Sequence, residues 1–177
     1  MYEIVTEAIV LDRETVGENS GRIWLYTREL GRVVARAQAL FKTNSKLSAY
    51  LQPTRYVQVR VVERKGINIA DALNVPGKEF APNLSPKQRI DICQLIRRQA
   101  PELSPDEKLW GILTGPEVSI RSILSDLGFD PGHSSCSICG KTRPTHFILK
   151  TATFVCDDCF AHPTNKGALS VGGYAHA

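Results

Sequence analysis

Up to about Val75 the apolar positions fall in short, β-branched runs separated by turn signals, the pattern of half-buried strands. The first run is Glu3 to Leu11, with Ile4, Val5, Ile9, Val10 and Leu11. Arg22 to Thr27 follows, then a turn at Glu29-Leu30-Gly31, then a third strand from Arg32 to Ala39. Gly31 suits that turn because glycine accepts positive φ without a steric penalty. Phe41 to Leu51 loses the alternation and predicts a short helix or ordered loop, closed by Pro53. Tyr56 to Glu63 and Ile67 to Leu73, joined at Lys65-Gly66, complete five strands. Five short strands with a helical connection between the third and fourth predict an OB-fold barrel, and a small SH3-like barrel fits the strand count almost as well.

The pattern changes after the fifth strand. Six prolines from Pro76 to Pro116 punctuate the middle of the chain. Ser85-Pro86, followed by Ile90, Leu95 and Ile96, predicts a helix with a serine cap and proline at its first position. Val118, Ile120, Ile123, Leu124 and Leu127 have helical spacing within Glu117 to Leu127, and Gly128 stops that helix. These pieces read as a connector packing against both flanks rather than as a bundle. The expected class is α+β, with an OB-fold domain over 1–78, a short helical segment over 79–132, and a third segment with its tail over 133–177. The stretch from Asn165 to Ala177, rich in glycine and alanine, is expected to be poorly ordered.

Composition adds little until charge is located. The chain has 177 residues, 42% hydrophobic and 23% charged, as in soluble globular proteins. No apolar run approaches the roughly 18 residues that span a bilayer. The first residues, Met1 to Glu7, lack the basic region and apolar core of a signal peptide, so the expectation is a cytoplasmic protein without a membrane role. The net charge is only +4, yet Ser20 to Arg60 carries +7, with Glu29 its one acid. A basic stretch in an otherwise balanced chain is the electrostatic footprint of a polyanion binder.

Four of the five cysteines form two pairs, Cys136-x-x-Cys139 and Cys156-x-x-Cys159, separated by 16 residues. This is zinc spacing. Two intervening residues let both thiolates of a pair face one ion, Gly140 permits the tight turn, and Thr145 to Phe154 is long enough for a hairpin between the pairs. Four sulfurs fill a tetrahedron and leave no open position, so the expected Zn2+ is structural. Disulfides do not suit a chain without an export signal. His133, His146, His162 and His176 surround the cluster, but four sulfurs already suffice. Cys93, among Ile92, Leu95 and Ile96, reads as a small buried hydrophobe.

Alternation sets Arg32, Val34, Arg36 and Gln38 on one face of the third strand, and Tyr56, Gln58, Arg60, Val62 and Arg64 on one face of the fourth. The expected nucleic-acid-contacting residues are Arg22, Arg28, Arg32, Arg36, Lys42, Lys46 and Arg60. Thr43, Asn44 and Ser45 complete a basic loop between the two lysines. Trp24, Tyr26, Phe41, Tyr50 and Tyr56 are candidate stacking platforms, each also a candidate for core packing.

Thr6-Glu7-Ala8-Ile9-Val10-Leu11, Gly17-Glu18-Asn19-Ser20, Leu25 to Gly31 and Lys46 to Pro53 resemble successive landmarks of the RecO N-terminal domain. Leu127-Gly128-Phe129 before Cys136, and Gly167-Ala168-Leu169-Ser170 after the second pair, are similar to the surroundings of that family's zinc finger. The resemblance implies an OB-fold, a helical domain and a zinc finger. It further implies binding of single- and double-stranded DNA, strand annealing, and partnership with RecR and single-strand-binding protein in loading recombinase. Two departures stand out: the helical middle is shorter than the family's, and the chain ends where the family usually adds helices.

Two other functions compete. An RNA-binding or transcription-associated OB protein with a zinc ribbon fits charge and cysteines equally. A nuclease fits poorly. Asp157 and Asp158 lie inside a metal knuckle, Asp12, Glu14 and Glu18 sit in an expected loop, and no nucleophile is paired with a base.

Overall fold

A computed structural model describes residues 2–42, 45–161 and 168–171. The chain forms two compact units, Met1–Val118 and Ser119–Ala177. Thr43, Asn44, His162, Gly167, His176 and most of the glycine-rich tail lie outside the described residues.

The first unit is built on five strands, β1 (Tyr2–Val16), β2 (Ser20–Thr27), β3 (Gly31–Ala37), β4 (Tyr56–Glu63) and β5 (Ile67–Asn74), with α1 (Lys46–Tyr50) between β3 and β4. Their order is β1-β2-β3-β5-β4, and β4 returns to β1 to close a barrel. β1 is long enough to serve two partners. Its first half pairs with β4 (Tyr2↔Glu63 to Ile9↔Tyr56) and its second with β2 (Ala8↔Thr27 to Val16↔Ser20), with a register shift between Val10 and Asp12. Such an irregularity lets a strand bend from one partner to the next. Closure on the other side is a short parallel contact, Arg36↔Asn68 and Ala37↔Ile69.

Inward positions alternate as the period of two requires. Ile23 and Leu25, Val33, Ala35 and Ala37, and Val57, Val59 and Val61 are buried together with Ala8, Val10, Ile69 and Ala72. Alanines interleaved with branched residues let a narrow barrel fill without voids. Leu40 and Leu51, flanking α1, are fully buried in the same core, while Leu47 and Tyr50 of α1 pack against it.

Two helices complete this unit, α2 (Pro86–Gln99) and α3 (Glu107–Thr114). α2 begins at the expected cap: the Gln88 N–H donates to Ser85 Oγ and the Ser85 N–H donates to Gln88 Oε1, a reciprocal capping box. It buries Ile92, Cys93, Leu95 and Ile96. Burial pushes the Cys93 thiol up to about 12, and its sulfur lies 3.7 Å from the Val10 carbonyl, as suits an inert core residue. Arg97 of α2 lies 4.0 Å over the Trp24 ring and pairs with Asp12, binding helix to barrel through a stacked and an ionic contact. α3 has no counterpart in the sequence-based expectation. Asp106 caps it by accepting from the Lys108 and Leu109 N–H groups, and it inserts Trp110 beside Tyr26 and Tyr56.

The second unit contains α4 (Ile120–Asp126), β6 (His146–Ile148), β7 (Thr153–Val155), α5 (Asp157–Phe160) and β8 (Ala168–Ser170). α4 ends where Gly128 takes φ +87°; the Gly128 N–H donates to Ser125 and the Phe129 N–H to Leu124, the two bonds of a Schellman stop. The expected hairpin is present as β6 and β7. β8 adds a third strand on the far side of β6, in the order β7-β6-β8. Phe147 is fully buried between Phe129 and Phe154.

Candidate metal centre and nucleic-acid interface

In the second unit, Cys136 and Cys139 lie on a tight turn. The Gly140 N–H donates to the Cys136 carbonyl at 2.9 Å, with Gly140 at φ +73°, a conformation that side chains disfavour. The Cys136 N–H donates to the Lys141 carbonyl, and the Ser137 N–H donates to Phe154 in β7, which fixes the turn against the hairpin. Cys156 follows β7 directly and stands at the start of α5, one turn before Cys159. The hairpin thus delivers the second pair to the first.

All four sulfurs lie within 4.8 Å of one another, and Cys139 Sγ is 3.7 Å from Cys156 Sγ. Metal–sulfur bonds of about 2.3 Å in a tetrahedron require sulfurs about 3.8 Å apart, so the donor set fits a metal ion. Cys136 and Cys156 are buried with Ile148 and Val155, which shields one side of the cluster. Burial opposes ionisation of Cys136, but backbone amides of Cys139, Cys156 and Ile138 outweigh it and bring the thiol down to about 6. Hydrogen bonding from Cys139, with burial second, holds Cys159 up at about 12.

The two described histidines have other partners. His146 stacks on Phe160 at 3.9 Å and lies 3.5 Å from Asp157; His133 Nδ1 is 2.6 Å from Asp130. His162 and His176 lie outside the described residues. Asp157 accepts from Thr145 Oγ1 at 2.9 Å, and Asp158 pairs with Lys141 at 3.0 Å.

The first unit presents a groove of about 980 Å³ along β2, β3 and the turn after β4. Arg22 and Arg36, directly paired across β2 and β3, line it together with Arg64 and Lys65. No carboxylate lines it among the described residues. Arg22 is half-exposed and lies 3.6 Å from Glu14. Lys65 was absent from the expected set, and Arg64 entered only through strand alternation. A signal was present in Arg64-Lys65-Gly66, a basic turn between two strands.

The other expected residues are placed differently. Arg28 and Arg60 are about half-exposed, 3.8 Å from Glu107 and 3.2 Å from Glu3 respectively. Lys42 and Lys46 are exposed on either side of Thr43 and Asn44, which lie outside the described residues. Arg32 is only 17% exposed; its Nε donates to the Ala100 carbonyl at 2.7 Å and its Nη2 lies 3.5 Å from Glu102. It pins β3 to the segment after α2. Of the aromatic candidates, Tyr26 and Tyr56 are buried against Trp110, and burial, with Glu7 next, raises the Tyr56 phenol. Phe41 and Tyr50 pack on the barrel core. Trp24 is partly exposed, with Arg97 covering one side of its ring.

Comparison with known proteins follows this division. Residues 1–74 match the family described as "Recombination protein O N terminal". The chain is 27% identical to the DNA repair protein RecO of Pelotomaculum thermopropionicum, over 93% of this chain and 73% of the relative. The RecO proteins of Bacillus pumilus (25%, covering 94% and 72%) and Bacillus subtilis (26%, covering 87% and 68%) are similarly related.

Proposed function

The chain is a member of the RecO family, and from that premise we propose that it serves recombinational DNA repair as a non-enzymatic DNA-binding protein whose barrel groove seats the strand backbone. The observation that carries the reading is the convergence of Arg22, Arg36, Arg64 and Lys65 on one groove. Four cations line it, with Glu14 3.6 Å from Arg22, and the helical residue on its wall is the apolar Leu47 of α1, which carries no group to read base edges, so contacts are to backbone. The strand order and the α1 insertion between β3 and β4 support an OB-type barrel rather than an SH3-like one. Oligonucleotides bind such barrels on the second and third strands and on the loops after the first and fourth. Arg22 and Arg36 belong to that face, and Arg64 and Lys65 to the loop after the fourth strand.

Arg28, Lys42, Lys46 and Arg60 extend the positive field around the groove; Arg32 acts in the barrel's support instead. Functionally, 1–78 is the DNA-binding barrel, 79–132 the helical segment and 133–177 the zinc finger with its tail. Cys136, Cys139, Cys156 and Cys159 hold a structural Zn2+, which ties the two turns together and adds folding energy to that of the small core around Phe147. Its partners are single- and double-stranded DNA and, as the family implies, a RecR-type mediator and single-strand-binding protein. Holding two strands on a basic surface screens their repulsion, which favours annealing and assists recombinase loading. The relatives' names favour DNA repair over an RNA-binding or transcription-associated role.

The test is charge reversal in the groove. Arg36→Glu with Arg64→Glu replaces two attractions by two repulsions and is expected to weaken single-strand binding at least tenfold. Unchanged affinity in the folded variant refutes the groove as the seat.

A further inference from the structure

The second unit carries a basic cavity distinct from the thiol cluster. Its volume is about 410 Å³, inside the roughly 300–1,000 Å³ range of small-ligand pockets. Arg121 of α4 and Arg143 border it, and the wall between them includes Pro131, Pro144, Thr145 and Val171. No carboxylate lines it among the described residues. Both arginines are exposed.

The frame of the cavity is held by backbone bonds. The Val171 N–H donates to the Thr145 carbonyl at 2.7 Å, and the Thr145 N–H donates to Val155 at 3.1 Å. Behind the Pro131-Gly132 turn, Asp130 accepts from the Gly132 N–H at 2.8 Å and pairs with His133 at 2.6 Å. His133 first, then Gly132, hold the Asp130 carboxyl below the usual carboxylate range, with Arg121 contributing least. Most of what stabilises its charge comes from its own turn. A Cβ at Gly132 would stand 3.2 Å from Asp130 Oδ1 and 3.8 Å from Arg121 Nη2, so the Asp130 carboxylate and the Arg121 guanidinium both flank this wall.

Arg143 adds a second, independent observation. Its φ is +59°, in the left-handed region, and it precedes Pro144. That conformation is uncommon for a side-chain-bearing residue. Strain of this kind collects at ligand-binding positions. Here the strained residue is one that adds a guanidinium to the cavity.

We propose that this cavity is a phosphate site that takes one backbone phosphate of a DNA strand between Arg121 and Arg143, with the adjoining sugar against the prolines. Phosphate oxygens can accept from two guanidinium forks at once. The inference rests on the DNA-binding function proposed above and deepens it, because it gives the second unit a nucleic-acid contact of its own.

The experiment uses the full chain and a fluorescent oligo-dT, titrated across a salt series, with zinc content and thermal unfolding measured on every variant. Each single-strand phosphate contact contributes about 0.7 to the log–log salt slope. Arg121→Gln and Arg143→Gly are each expected to weaken binding several-fold and lower the slope, and the double variant to lower it by about that one contact. Arg143→Gly relieves the positive φ, so its melting temperature should be unchanged or raised while binding falls, a combination that a merely structural role does not produce. Should Arg143→Gly lose zinc, Arg121→Gln alone decides.

An unchanged slope in the folded double variant, with the Arg36→Glu/Arg64→Glu chain still impaired, overturns this site and leaves the barrel reading intact. Wild-type protein that fails to bind oligo-dT overturns both. Displacement by oligo-glutamate as effective as by unlabelled oligo-dT of equal charge overturns the phosphate assignment in favour of an acidic peptide.

Discussion

Replacing Arg32 by methionine separates structural from DNA-contacting arginines on the barrel. Alternation along β3 groups Arg32 with Arg36, yet its side chain is 17% exposed and donates to the Ala100 carbonyl at 2.7 Å. The Leu103 N–H donates back to the Arg32 carbonyl at 2.9 Å, so two bonds hold this segment to β3. Methionine keeps much of the aliphatic stem but leaves the Ala100 carbonyl, in a residue 3% exposed, without that donor. A hydrogen bond to a charged group is worth about 1.5–3 kcal/mol, and the half-exposed Glu102 partner adds at most about 1 kcal/mol. A loss of about 2 kcal/mol lowers the urea midpoint by about 1 M for a slope of about 2 kcal/mol/M. Urea unfolding followed by tryptophan fluorescence reads it, since Trp24 and Trp110 both lie in this unit. DNA affinity under native conditions should stay within about twofold of wild type. An unchanged midpoint with a tenfold loss of DNA affinity refutes the reasoning and returns Arg32 to the binding surface.

The purified protein should carry one zinc per chain by elemental analysis, and Cys139→Ser should lose it, exposing the second unit to proteolysis while the barrel persists. A Cys139→Ser chain that retains full zinc contradicts the ligand set. Trp110→Ala should destabilise the first unit by about 3–5 kcal/mol, because the indole is 5% exposed and packs on both Tyr26 and Tyr56. Denaturant titration checks it, and a loss below about 1 kcal/mol means α3 is not an integral part of that core.

Local signals were legible in the sequence where one residue decides the outcome. The bounds of β4 follow from strict alternation of Val57, Val59 and Val61, the start of α2 from Ser85-Pro86, and the end of α4 from Gly128. The cysteine spacing led directly to four sulfurs within 4.8 Å. What stayed hidden depends on partners far apart in sequence. Strand count alone could not separate two barrel types; the β1–β4 pairing and the brief parallel contact of β3 with β5 are the long-range features that support the OB-type reading proposed above. α3 was masked by Pro105, Gly111 and Pro116, which read as connector. Its Trp110 explains why Tyr26 and Tyr56 are core residues instead of stacking platforms. The groove likewise needed the turn after β4 to meet β2 and β3 before Arg64 and Lys65 could be recognised beside Arg22 and Arg36.

The central claim is a basic barrel that holds DNA through its backbone, and one measurement bears on it most directly. Binding and annealing of complementary oligonucleotides of several sequences are followed over a salt series, with matched RNA strands alongside. Four groove cations neutralising single-strand phosphates give a log–log slope of about −3. The account predicts a slope at least that steep, little variation among sequences, and acceleration of annealing at low salt. A shallow slope, a tenfold preference for one sequence, or tighter binding to RNA contradicts it.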